Sequence, residues 1–271
     1  MRGAFLLFRL SLKRVWPLLA ATGLLLAGFQ VLRVVIATSI YNGGGFEEIA
    51  TMLPPFVRAI LGPAVAGVLS FNGVVCGAYF DLGVELALLA LSIALATLPA
   101  SEIESGFADL ILARPLRRHW LITRAIALVI FVILLMLLML TGGIWVGLML
   151  FAPPHVPWPP PSQIGALAMN LGMLLLCWSG VAMAFGAAYR RSVAASVTSL
   201  LAFAALLLDF LQRLWAPLAP IGWLSPFRYF NPFELIMGSP LPVEDYVVLG
   251  AIALTGFTLA YFLMSQRDIS R

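Results

Sequence analysis

Apolar residues in this chain do not alternate with polar ones; they run together in long blocks. Six blocks stand out, at 15–38, 83–98, 120–151, 164–188, 193–214 and 246–264, and the second has an apolar lead-in from Ala64. A bilayer core about 30 Å thick takes about 20 apolar residues as a helix, so each block predicts a membrane span. The first is longer than the apolar core of a secretory signal, about 7–15 residues, and no clear small-x-small cleavage site follows it. It is expected to be a retained span.

The segments between the blocks differ in kind. Pro54, Pro55, Gly62 and Pro63 break the stretch 46–80, which predicts surface or re-entrant helices outside the second span. The stretch 216–240, rich in proline, glycine and aromatics, predicts the same before the sixth. Residues 152–162 are proline-rich and uncharged, as in a polyproline segment. Trp145, Trp158, Trp215 and Trp223 near span ends read as interfacial anchors. The fold class is therefore all-α: a polytopic membrane protein with one transmembrane domain over 15–271.

Residues 1–14 are patterned differently. On a helix Arg2, Arg9 and Lys13 share one narrow face, and Phe5, Phe8, Leu10 and Leu12 take the rest. Two readings fit: an amphipathic helix lying on the inner leaflet, or a basic flank that extends the first span.

Composition sharpens this picture. Hydrophobic residues make up 62% of the 271, charged ones 10%, and the mean hydropathy is +1.03. Soluble domains carry about 25% charged residues, so lipid is the solvent here. The net charge of +4 does not point to nucleic acid, because the cations sit between apolar blocks. With the N-terminus in the cytoplasm, twelve of the sixteen Lys and Arg fall on the cytoplasmic side; Arg33, Arg58, Arg213 and Arg228 do not. That bias predicts both termini inside. Cys76 and Cys177 are too few for a disulfide scaffold and read as buried thiols. His155 reads as a solvated loop residue.

The loop 99–119 between spans two and three carries the most information. Ser101 and Glu104 have capping-box spacing, which predicts a helical turn starting there. Gly106 permits a change of direction; Phe107, Leu110 and Ile111 then form an apolar face at i, i+3, i+4; Pro115 ends the helix, and a basic cluster follows. Such a surface helix needs a cover, from lipid headgroups or from a partner protein.

This loop resembles the signature loop of type-2 ABC exporter permeases. It matches at Glu102, Gly106, Asp109, Leu110, Leu112, Ala113, Pro115 and Arg118, with Phe107 and Ala108 standing where that pattern has Thr-Leu. The stretch 224–234 (LSPFRYFNPFE) is similar to the family's outer segment between spans five and six, and Gln266 to Ile269 (QRDI) to its common ending. The resemblance covers the whole chain. It implies a permease that dimerises with a second copy or a homologous permease and binds two copies of a separate ABC ATPase subunit. ATP and Mg would sit on that partner, with no cofactor on this chain. It also implies an N-terminal elbow helix and a coupling helix after Gly106. The contact set would be Glu102, Glu104, Gly106, Phe107, Leu110, Ile111, Arg114 and Pro115. The location implied is a bacterial inner membrane, in keeping with arginine standing almost everywhere for lysine.

The residues themselves place any ATPase on another chain. A P-loop needs a Gly-rich turn before Gly-Lys-Ser/Thr, and the sole lysine, Lys13, has none before it. No His-Glu-x-x-His or Gly-x-Ser-x-Gly occurs either. Four charges near span ends remain: Asp81 with Glu85, and Asp209 with Arg213, each pair four residues apart. Intramembrane charge is costly and often functional. Gating roles fit these pairs, and so do plain ion pairing and snorkelling. The competing functions are a secondary transporter or channel without an ATPase, which predicts midplane charges or inverted repeats, and a membrane-embedded enzyme or assembly factor.

Overall fold

The computed structural model describes residues 2–46, Pro54, 65–105 and 119–266. Everything described is helix, turn or loop, with no strand among the described residues. The helices are α1 (Arg2–Asn42), α2 (Val65–Val68), α3 (Phe71–Cys76), α4 (Leu82–Ala96), α5 (Leu98–Glu104), α6 (His119–Phe151), α7 (Pro161–Ala188), α8 (Arg191–Leu214), α9 (Pro232–Ile236) and α10 (Val243–Gln266). Six stretches are long and apolar enough to cross a membrane: Val15–Asn42, Phe71–Ala96, Trp120–Phe151, Pro161–Ala188, Arg191–Leu214 and Val243–Gln266. The chain is a multi-pass, all-helical membrane protein by these lengths and hydropathies.

α7 is the centre of the bundle: 67% of its most apolar window is buried, against 22% for α8. It packs on α4, α6, α8 and α10, while α1 packs on α6. Hydrocarbon offers helices no hydrophobic drive to associate, so close backbone approach must supply the contact. Two glycine seams do so. A Cβ on Gly143 or Gly147 of α6 would come within 2.7–2.8 Å of Ala27 or Val34 on α1. A Cβ on Gly256 of α10 would lie 2.3 Å from the Gly180 backbone of α7.

α1 is one helix of 41 residues running through Pro17, so residues 2–14 continue the first span without a break. At 1.5 Å per residue it is about 60 Å long, about twice a bilayer core. The lead-in to span two departs from expectation. Val75, Cys76, Ala78 and Tyr79 in α3 and the following 3₁₀ turn (Gly77–Phe80) are fully buried, so this part of 46–80 lies inside the bundle. Tyr79 shares a 2.7 Å hydrogen bond with Thr141 of α6. Residues 47–53 and 55–64 of that stretch lie outside the described residues. Between α8 and α10 come 3₁₀ turns Ala216–Leu224 and Pro226–Tyr229 and then α9. Phe227, Phe230, Leu235 and Ile236 point into the core, and Trp223 and Leu224 are exposed. Gln163 of α7 holds α9 by donating to the carbonyls of Leu235 (3.2 Å) and Ile236 (2.9 Å).

Candidate functional site

Polar groups gather at the two ends of the bundle. One end holds α5 and the starts of α6 and α8, where Glu104 meets Arg191. The other holds the C-terminal ends of α1 and α6, where Thr38 donates to the Phe151 carbonyl at 3.1 Å.

At the first end α4 hands over to α5 at Thr97, whose hydroxyl donates back to the Ile93 carbonyl at 3.0 Å. α5 starts at Leu98, with Pro99 in its first turn, where a missing N–H costs nothing. The capping box expected at Ser101 and Glu104 does not form: Ser101 lies within the helix. The Glu104 carboxylate instead accepts from the backbone N–H of Arg191, at 2.5 Å. That amide opens α8, whose N-cap residue Arg190 supplies no side-chain cap, so the carboxylate caps it and meets the positive helix end. Glu102 turns inward. It is buried and ion-paired with Arg124 on the second turn of α6, itself buried. Its carboxylate therefore joins α5 to α6. Gly106, Phe107, Leu110, Ile111, Arg114 and Pro115, the rest of the expected contact set, lie outside the described residues.

At the opposite end Asp81 and Glu85, read from their spacing as sharing one helix face, serve different sites. Asp81 has extended backbone angles and precedes α4, and its carboxylate caps the helix by accepting from Gly83 N (3.0 Å) and Val84 N (3.2 Å). Arg33 of α1 pairs with Asp81 at 3.2 Å and also donates to the Val74 carbonyl at 3.1 Å. Gln30, fully buried one turn earlier on α1, donates to the Val75 carbonyl. Together they pin α3 and the start of α4 to α1.

Glu85 faces elsewhere. With 6% exposure it lines a pocket of about 140 Å³ shared with Asp209 and Arg213 of α8. Asp209 is fully engaged: Arg213 donates to it at 3.0 Å and Gln212 at 2.6 Å. Glu85 Oε1 is buried with no hydrogen-bond partner. The remaining wall is aromatic, from Phe80, Phe210, Phe227, Phe230 and Phe233. Phe80 and Phe233 sit 5.5 Å apart, ring centre to ring centre, inclined at 59°. The last three belong to the 224–234 segment, so sequence likeness marked the segment and folding aims its rings.

Asn170, in the fully buried heart of α7, has neither amide atom partnered. A single amide side chain in an apolar block is the only sequence signal it gives. Among the described residues no group of three or more His, Cys, Asp or Glu side chains is placed to hold a metal ion. Cys76 and Cys177 are free and buried, and His155 is exposed.

Compared with models of known protein families and with curated proteins, the chain matches none.

Proposed function

We propose that this chain is the transmembrane permease subunit of an ATP-binding cassette exporter of the type-2 kind. It works in a bacterial inner membrane with both termini cytoplasmic and takes energy from a separate ATPase. The observation that carries the reading is the position of the Glu102–Arg118 pattern, directly after the second of six apolar spans and before the third. The geometry around it suits force transmission. Glu102 ties α5 to α6 and Glu104 ties it to α8, so a push on the loop 106–118 would reach two spans through two short polar links. Two ATPase copies, each bound at one loop, require two permeases. α8, the span with the least of its window buried, offers apolar surface to a second copy as well as to lipid.

The test is reconstitution. Proteoliposomes holding this chain and a candidate P-loop ATPase of the ABC type are expected to hydrolyse ATP faster than the ATPase alone. No stimulation, in liposomes that hold both chains, would contradict the reading. A second reading, a secondary transporter or channel, is favoured by one observation: Glu85 is a buried intramembrane carboxylate, a common seat of ion coupling. It predicts gradient-driven flux from this chain alone, without ATP.

A further inference from the structure

We propose that the pocket between α4, α8 and α9 is a binding site for a small organic ammonium ion, with Glu85 as its counter-ion and the phenylalanine rings as its cage. Three features support this independently. The first is an unused acceptor: Glu85 is more than nine-tenths buried, and its Oε1 has no partner. A native structure rarely leaves a buried charged group unpartnered, because its desolvation is then uncompensated. Arg213 does not fill the role: it pairs with Asp209 at 3.0 Å, and no ion pair between Arg213 and Glu85 occurs among the described residues. Two carboxylates and one guanidinium line the pocket, so with both carboxylates ionised its formal charge is negative by one.

The second feature is the wall. Aromatic faces attract cations that have shed their water, and a cage of rings beside a carboxylate is the arrangement that recognises quaternary ammonium groups. An inorganic divalent cation fits poorly, because it wants six or more oxygen ligands. This pocket offers only two carboxylates, one of them already paired. The third is size. About 140 Å³ suits an ammonium head group, whereas sites for drug-sized molecules run to about 300–1,000 Å³. The head group comes either from a free small molecule or from a choline- or ethanolamine-bearing lipid.

The site belongs to this chain whatever drives transport, so the test needs no ATPase and its failure leaves the ATPase reading untouched. The full-length chain is purified in dodecyl maltoside, and binding of radiolabelled choline is measured by equilibrium dialysis. Saturable binding at one site per chain is expected, displaced by tetramethylammonium but not by 3,3-dimethylbutan-1-ol, choline's uncharged isostere. Glu85→Gln is expected to weaken binding about tenfold or more, the loss typical of one charge-assisted contact. Phe233→Leu, which keeps bulk but removes the ring face, is expected to weaken it several-fold, with elution and melting like the parent's. If Glu85→Gln does not fold, displacement by the isostere on the parent decides the matter. Absence of saturable binding, equal displacement by the isostere or by sodium, or full affinity in a folded Glu85→Gln chain would each overturn the proposal. Nanodiscs separate the two sources. Choline binding kept in phosphatidylglycerol discs and blocked in phosphatidylcholine discs assigns the site to a lipid headgroup; binding equal in both assigns it to a free ammonium ion.

Discussion

Glu102 and Arg124, twenty-two residues apart, form an ion pair in which each side chain is only 9% exposed. Buried pairs of this kind add little net stability over an apolar pair, but breaking one strands a charge. Glu102→Ala is therefore expected to destabilise the chain by about 3–5 kcal/mol, seen as a large drop in melting temperature in detergent. Glu102→Met combined with Arg124→Met should recover most of that loss. If the double variant is no better than the single one, the pair is not what holds α5 to α6.

The α7–α10 seam makes a steric prediction. Gly256→Ala places a methyl 2.3 Å from the Gly180 backbone, and overpacking of this sort costs about 1–3 kcal/mol. Gly165→Ala, on the same α7, meets nothing within 4 Å and should gain up to about 1 kcal/mol from helix propensity. Thermal melts of the two variants should move in opposite directions.

Asp81 serves two partners, and the two can be separated. Asp81→Asn keeps a capping oxygen for Gly83 and Val84 but gives up the charge toward Arg33. Asp81→Ala loses both, including a cap worth about 1 kcal/mol. The alanine variant should melt below the asparagine variant, and the asparagine variant only slightly below the parent, since the pair is partly exposed and screened. Equal melting of the two variants would remove the cap from the account.

Asn170 carries two unpartnered amide atoms inside α7. Asn170→Leu keeps the volume and removes a desolvation penalty of about 1–3 kcal/mol, so the chain should melt at the same temperature or higher. A lower melting temperature would mean that the amide is held by something beyond this chain's own side chains.

The six spans were legible in the sequence because each is a long apolar run, and its length is set by the bilayer rather than by tertiary contacts. Their ends were less so: α7 begins at Pro161 rather than Ile164, since proline fits a first turn as well as it fits a loop. The run into span two reads as a surface or re-entrant element outside the span, whereas the helical stretch long and apolar enough to cross a membrane begins at Phe71. Asn72, Gly73, Gly77 and Asp81 interrupt the hydropathy there, but α3 and its 3₁₀ turn bury their apolar atoms against α1 and α7. Spacing by four identified Asp209 with Arg213, both inside α8, which are paired at 3.0 Å. The same spacing reads as one shared face for Asp81 and Glu85, but Asp81 stands outside the helix and its side chain turns back to cap it. Glu102 shows the other limit. Nothing local to the loop indicates that its carboxylate meets Arg124 instead of a partner protein.

The most direct test of the central claim is co-purification. The chain carries a tag and is expressed with a candidate P-loop ATPase of the ABC type, extracted in mild detergent and captured, beside a variant with Leu110→Asp and Ile111→Asp. The account predicts that the ATPase elutes with the parent and is lost from the variant while the variant itself elutes normally. Failure of the ATPase to elute with the parent chain would contradict it.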